Sequence, residues 1–487
     1  VSELSKQAGL LSATEFFRFF VKSLIGIALA RLITPSELGS YRQLFLIYST
    51  FSTLLLFGIP QSLLYFLPKC TTGEQQKRFI SCTLNVTTAL SVLFAVCIYL
   101  LKDFIALRFN NPELSSLLVI YALYPIFIFV TQLFSFVMLG LRSPLQAAKF
   151  TLFAVLCDLV LIMGAAFITK DLRIIVWAVL ASAFLQWLYA QIKLIRFRNP
   201  INSMMFDGFR QQLAYSIPLG ISSIIGIMGV QIDKFMISGF FGPEQFAVFS
   251  IGAMELPLIG ILANSVNSIL LPNMQSENRA GMSKLYKAAV RKNALLVFPM
   301  AAMFYLFAEP IMVFLYGATY AGAAEYFKIY LFILPLRIAT YGILFQAFGK
   351  TKMIMYNALF MLVANVIANY FFIKAFGMSG AAWATVIVTW ISVVLYLVFM
   401  KKTLGIYLSD YFPIRSVLLT ALTAGLAAWL CYPWRFITSY NISNIIIGGT
   451  LYCTAFYIIG KLLGVILKYD DGLVIDMMKD FVRKIKR

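Results

Sequence analysis

The chain has no histidine, which removes histidine metal sites, histidine general bases and histidine proton relays together. Charge is scarce as well. Only 12% of the 487 residues are Asp, Glu, Lys or Arg, roughly half the fraction of a soluble domain. The six cysteines (Cys70, Cys82, Cys97, Cys157, Cys431, Cys453) form no CxxC pair and no disulfide framework. They read as small buried hydrophobes, so no metal site is expected. The first apolar stretch, 10–30, lacks a clear small-residue cleavage site and is expected to stay as a span rather than leave as a signal peptide. No connecting loop exceeds about 20 residues, which leaves no room for an extramembrane catalytic domain.

What is abundant is apolar surface. Hydrophobic residues make up 61% of the chain and mean hydropathy is +0.86, which points to lipid as the solvent. The net charge of +20 arises from 40 Lys and Arg against 20 Asp and Glu. These basic residues sit in short runs between apolar segments, the pattern of the positive-inside rule and of anionic headgroups. No basic soluble domain exists to bind nucleic acid.

A helix needs about 20 mostly apolar residues to cross the hydrocarbon core. About 14 such segments occur, predicting an all-α polytopic membrane protein. They lie near 11–32, 41–66, 79–101, 115–140, 146–169 and 173–194, then 213–239, 245–271, 293–316, 325–347, 353–373 and 379–400, with two more at 414–433 and 442–466. About 27 of the 40 basic residues fall on the side that holds both termini, and about 9 on the other. Both ends are therefore expected in the cytoplasm. The expected organisation is a six-helix bundle over 1–196, a cytoplasmic linker over 197–212 and a second six-helix bundle over 213–402. Spans 13 and 14 follow at 413–466, and a cytoplasmic tail at 467–487. The basic tail fits an amphipathic helix at the headgroups or a plain solvated end.

The halves repeat. Thr34-Pro35-Ser36-Glu37-Leu38-Gly39-Ser40-Tyr41 aligns with Gly242-Pro243-Glu244-Gln245-Phe246-Ala247-Val248-Phe249. Gly140-Leu141-Arg142-Ser143 aligns with Gly349-Lys350-Thr351-Lys352, and Trp177-Ala178 with Trp383-Ala384. Three ordered matches at similar spacing indicate duplication. Because each half holds six spans, the repeat is parallel, about a pseudo-twofold axis along the membrane normal.

These residues resemble the polysaccharide exporter branch of the multidrug/oligosaccharidyl-lipid/polysaccharide superfamily, the group of Wzx-type O-antigen flippases. The resemblance rests on Ala30-Arg31-Leu32-Ile33 running into the 34–41 motif, on Gly58-Ile59-Pro60-Gln61-Ser62-Leu63, and on Gly349-Lys350-Thr351-Lys352. It continues through Asn365, Asn369 and Gly377-Met378-Ser379-Gly380-Ala381-Ala382-Trp383-Ala384-Thr385. Many members place an arginine shortly after the glycine of span two, where this chain has Tyr65 and Phe66. The resemblance implies two six-helix bundles working by alternating access in the bacterial inner membrane. The implied cargo is an oligosaccharide on polyprenyl pyrophosphate, moved from the cytoplasmic to the periplasmic leaflet. A polysaccharide polymerase and a chain-length regulator are the partners it suggests. Protons, sodium ions or the membrane potential commonly drive relatives; no cofactor is expected.

Ionisable residues inside spans are costly and so become site candidates. Glu15, Arg18 and Lys22 share one face of span one, at about 100° per residue, and should face the cavity between the bundles. For the pyrophosphate, the candidate cations are Arg18, Lys22, Lys234 and Arg337, since arginine grips phosphate oxygens bidentately. Gln61, Tyr65, Asn264 and Asn267 are candidates for sugar hydroxyls. Asp233, Glu15, Asp158 and Glu255 are the candidate ion-coupling carboxylates, with Asp233 favoured. The competing reading is that these cations and anions neutralise one another as structural ion pairs, or that Lys22 snorkels. Intramembrane prolines (Pro60, Pro125, Pro218, Pro257, Pro299, Pro335) read as kinks, with a hinge role strongest for Pro218 and Pro257. Spans 13 and 14 fit a groove for the lipid tail, packing on the second bundle, or a dimer contact. Two other functions stay in view, a lipid II flippase and a drug/cation antiporter of the same superfamily. A polymerase or glycosyltransferase lacks its usual large loop or acidic cluster here.

Overall fold

The computed structural model describes residues 3–197, 207–254, 278–434 and 442–466, with Leu270 and Met274. Glu255, Pro257, Asn264, Asn267 and the tail 467–487 lie outside the described residues. Among those described there is no strand. Among the described residues, eight helices are long and apolar enough to cross a membrane, or up to eleven when each bent pair counts as one span. The first helix, α1 (Glu3–Leu32), is long enough but carries too many charges to stand in that number.

The chain forms two compact units, Val1–Ser250 and Ile251–Arg487. After α1, the first unit runs through α2 (Pro35–Leu56), α3 (Ile59–Phe66), α4 (Gly73–Arg108), α5 (Glu113–Tyr121) and α6 (Tyr124–Gly140). It continues with α7 (Pro144–Thr169), α8 (Leu172–Leu194), α9 (Asp207–Phe240) and the start of α10 (Pro243–Gly252). The 34–37 motif starts α2 by a simple device. Thr34 Oγ1 accepts from the Glu37 N–H at 3.3 Å, Glu37 Oε2 accepts from the Thr34 N–H at 2.9 Å, and Pro35 fills the first turn. This capping box satisfies two of the N–H groups that a helix start leaves open.

Three of the expected spans are bent, at prolines that the sequence marks as kinks. The α2/α3 pair bends by 46°, α5/α6 by 49°, and Ala323–Leu331 with Leu334–Ala347 by 40°. Pro60, Pro125 and Pro335 each sit just past a break, in the first turn of the following helical segment. A proline has no N–H to give the preceding turn, so it is tolerated where a new helix begins. By contrast, Pro218 and Pro299 lie inside continuous helices.

The first unit extends past the boundary expected at 197–212, because α9 packs on α2, α3 and α4. Near one end of α9, Gln212 Nε2 donates to Ser62 Oγ (2.9 Å) and Thr83 Oγ1 (3.2 Å). Near its other end, Gln43 Nε2 donates to Ser238 Oγ at 2.7 Å, while Asn111 Nδ2 donates to Gln43 Oε1 at 2.7 Å. All six side chains are buried. Between these ties, Gly58 and Gly220 let backbones meet: a Cβ at Gly220 would stand 2.7 Å from the Phe57 carbonyl oxygen. The repeat motifs also touch. A Cβ at Gly39 would overlap the Pro243 carbonyl, and Arg42 Nη1 donates to Ser250 Oγ at 3.0 Å.

In the second unit, α11 (Arg279–Leu306), α12 (Ala308–Tyr316), α13 (Ala323–Leu331) and α14 (Gly342–Ala347) precede the 48-residue helix α15 (Lys352–Phe399). This last is two antiparallel legs. Gly377 takes φ 63° and ψ −144°, outside the helical region. Contacts then pair residues on either side: Asn357 Nδ2 with Ser392 Oγ at 2.7 Å, and Thr385 Oγ1 with Asn365 Oδ1 at 3.3 Å. Expected spans 11 and 12 are therefore one hairpin. After the short α16 (Leu408–Tyr411), α17 (Ile414–Cys431) and α18 (Ile442–Leu462) pack on each other and on α11, through a core of Leu306, Phe307, Ala424, Ala427, Tyr452 and Phe456.

At Gly380 a Cβ would lie 2.0 Å from the Phe372 carbonyl oxygen, whereas at Gly26 it would meet nothing within 4 Å. Overpacking of this kind costs about 1–3 kcal/mol or more when backbone is the obstacle. Gly380→Val should therefore lower the melting temperature of the detergent-purified protein clearly, and Gly26→Val should leave it near wild type.

Candidate functional site

The charged face of α1 is present and lies beside its packed face. Thr14, Val21, Ile25 and Leu29 are buried, and α1 packs on α7. Glu15, Arg18 and Lys22 flank that stripe and are exposed, as are Phe16, Phe17, Phe19 and Phe20. Arg18 and Glu15 form an ion pair, with side chains 47% and 51% exposed. The guanidinium carries five donors, more than one carboxylate can occupy. Lys22 lies within electrostatic reach of Asp158 on α7, as well as of Arg18 and Glu15. Asp158 is half-buried and tied to α8, accepting from Ser182 Oγ at 2.6 Å and Gln186 Nε2 at 2.9 Å. Its field also reaches Tyr41 and Tyr124.

Four sequence candidates, Glu15, Arg18, Lys22 and Asp158, are thus gathered in one region of the first unit. Their formal charges cancel. The region can hold an anion only by exchange, with Arg18 giving an incoming oxyanion the donors that Glu15 does not use.

Asp233 is buried, at 3% exposure, and its Oδ1 accepts the N–H of Lys234 at 2.7 Å. Lys234 is half-buried, and no salt bridge of its side chain occurs among the described residues. The contact between these neighbours uses the lysine backbone. Gln61 and Tyr65 are one turn apart on α3, both exposed. Arg337 stands in the second unit, exposed, within the 3₁₀ turn Leu334–Ile338.

One polar cluster carries part of the family resemblance but was given no functional role from the sequence. Asn365 and Asn369, one turn apart in α15, are fully buried, and Thr385 of the facing leg is buried at 8% exposure. Asn369 Nδ2 donates to Asn365 Oδ1 at 2.8 Å, and Asn369 Oδ1 has no hydrogen-bond partner. Amides at i and i+4 in an apolar helix were the available signal; Thr385 became a neighbour only through the turn at Gly377. A cluster of amide and hydroxyl oxygens with one unmet acceptor suits a small hard cation.

The second unit also contains an apolar groove of about 510 Å³, lined by Phe298, Tyr305, Phe332, Pro335, Ala424 and Trp429. It lies between α11, the 331–335 break and α17, while α17 and α18 pack closely on each other.

A family model described as "Polysaccharide biosynthesis protein" matches residues 28–325. The capsular polysaccharide biosynthesis protein CapF of Staphylococcus aureus is 22% identical over 209 residues, 40% of this chain and 50% of that protein. The chain spans about half the length of the curated relatives it matches. Among solved structures, lipid II flippase MurJ in an inward closed conformation matches with a TM-score of 0.77, at 18% identity, over 93% of this chain and 98% of that one. An inward-facing multidrug resistance MATE family transporter of the MOP superfamily matches with a TM-score of 0.65, at 15% identity, over 80% and 94%. The fold is that of MurJ and MATE transporters, and the chain is a multi-span membrane protein.

Asp158 holds two donors from α8, so deleting its carboxylate strands them. Asp158→Ala should cost about 1–3 kcal/mol of stability, while Asp158→Asn, which keeps an acceptor oxygen, should cost less. Thermal unfolding in detergent checks the order; equal losses for both variants would show that these hydrogen bonds do not hold α7 to α8.

Proposed function

We propose that this chain, which belongs to the polysaccharide biosynthesis protein family, is a flippase for a polyprenyl-pyrophosphate-linked oligosaccharide. The movement runs from the cytoplasmic to the periplasmic leaflet of a bacterial inner membrane, by alternating access. The observation that carries this reading is the pair Arg18 and Lys22, exposed on α1 among exposed phenylalanines. A cation at mid-membrane costs about 2.5–3.5 kcal/mol on insertion scales, and the chain tolerates two on one helix. A pyrophosphate loses water when it enters the membrane, and guanidinium and ammonium groups offset that loss. Arg18 and Lys22 receive the anion and Lys234 supports it, while Arg337 is a further phosphate candidate within the second unit. Gln61 and the aromatics meet the sugar. This is transport without bond making, so the protein is not an enzyme. The excess of basic residues in one set of loops supports cytoplasmic termini.

Coupling uses an ion gradient. Buried Asp233 is the proton carrier in this reading. The Asn365–Asn369–Thr385 cluster offers sodium a set of neutral oxygens instead.

Lipid II is the second reading, favoured by the likeness to MurJ; it shares the polyprenyl pyrophosphate and differs in the sugar. The MATE likeness brings a drug antiporter as a further alternative.

Arg18→Ala and Lys234→Ala should each slow flipping of a polyprenyl-pyrophosphate-linked saccharide in proteoliposomes by about ten- to a hundredfold, the loss of a charge-assisted hydrogen bond, with normal protein incorporation. Wild-type rates in both would remove the anion mechanism. Asp233→Asn should abolish the dependence of that flipping on an imposed proton gradient, and an unchanged dependence would remove Asp233 from coupling.

A further inference from the structure

Where α3 meets α9, two helices of the first unit build an aromatic stack. The rings of Tyr65 and Tyr215 lie with centroids 4.5 Å apart and planes 11° from parallel. Phe66 stands edge-on to both, at 5.0 Å and 5.6 Å. The Lys69 ammonium sits 3.4 Å from the centre of the Tyr65 ring. Tyr215 already occupies one face of that ring, so the ammonium covers the other. Tyr65 is 43% exposed, Tyr215 36%, and Lys69 and Gln61 are exposed too. The stack is held in register from one turn away on each helix, where Gln212 of α9 donates to Ser62 of α3.

Interfacial tyrosines of membrane proteins ordinarily rest their rings against lipid near the headgroups. Tyr65 does not, since protein groups take both faces. One of those groups is removable. A cation over an exposed aromatic ring is held weakly, whereas an ammonium on a phosphate oxygen makes a charge-assisted hydrogen bond. A phosphate arriving beside Lys69 therefore draws the ammonium off the ring and bares an apolar aromatic face.

We infer that Tyr65, Tyr215, Lys69 and Gln61 form a docking platform for a pyrophosphoryl sugar, in which Lys69 binds a phosphate oxygen and thereby uncovers Tyr65 for the C–H face of the first sugar ring. Gln61, one turn along α3, offers its amide to that sugar's hydroxyls. The platform rests on the flippase reading above and deepens it, adding Lys69 and Tyr215 to the sugar contact that reading gives to Gln61 and Tyr65. It stands at the basic-loop end of the unit, beside Lys69, Lys77 and Arg78, the end where that reading has the cargo enter.

The test compares two probes on the purified full chain in detergent. One is a short-chain prenyl pyrophosphate, the other the same molecule carrying a single N-acetylhexosamine. Wild type should bind the sugar-bearing probe about three- to tenfold more tightly, the size of an aromatic contact. Tyr65→Leu should erase that difference and Tyr65→Phe should keep it. Lys69→Gln should weaken both probes by about tenfold. A folded Tyr65→Leu that retains the full sugar-dependent difference overturns the platform, as does Lys69→Gln with both affinities unchanged. Lys69 is exposed, so that variant remains informative even if Tyr65→Leu misfolds. Either result leaves the flippase reading standing; wild type that binds neither probe removes both.

Discussion

Lipid supplies no hydrogen bonds, so each amide, hydroxyl and carboxylate that this chain places in the bilayer has to be met by another part of the chain. The architecture of the first unit follows from that demand. Helix α9 is tied to α2, α3 and α4 by one buried amide–hydroxyl cluster near each end, around Gln212 and around Gln43. Asp158 is tied to α8 by Ser182 and Gln186. These ties choose which helices are neighbours, in a medium where apolar side chains gain little by leaving lipid for each other. They also fix the aromatic stack of Tyr65 and Tyr215, whose two helices are joined one turn away.

Close approach of backbones is the complement of those ties. Gly58 and Gly220, Gly39 and Pro243, and Gly380 and Phe372 mark places where no Cβ fits. Prolines divide the work differently. Pro60, Pro125 and Pro335 open the second segment of a bent span, where a missing N–H costs nothing further, while Pro218 and Pro299 remain within helices. The bent spans are thus built by sequence features of one or two residues, at little cost in unmet backbone groups.

Charge placement connects this scaffold to the transport proposed for it. Cations and anions of α1 and α7 balance one another, which lets the unit tolerate them in lipid, yet Arg18 and Lys22 stay exposed. A balanced and accessible cluster can trade one anion for another with small net change in charge. That property suits a carrier, which has to release what it binds.

Span-forming segments, the loop bias, the 34–41 motif and the charged face of α1 were legible in the residues alone. Each depends on hydropathy or on spacings within one or two turns, and such local patterns survive whatever the helices later touch. The partners of those residues were not legible. That Asp158 answers to Ser182 and Gln186, that α9 joins the first unit, and that Tyr65 stacks on Tyr215 all depend on contacts between residues 24 to 150 or more positions apart. The hairpin at Gly377 shows the division most clearly. A glycine in an apolar run announces only that backbone freedom is available; the folded chain uses it to reverse direction and bring Thr385 against Asn365. Sequence set which groups would be costly in lipid, and tertiary structure decided which of them relieve one another, because a hydrogen bond needs two groups in one place and only the fold assigns the place.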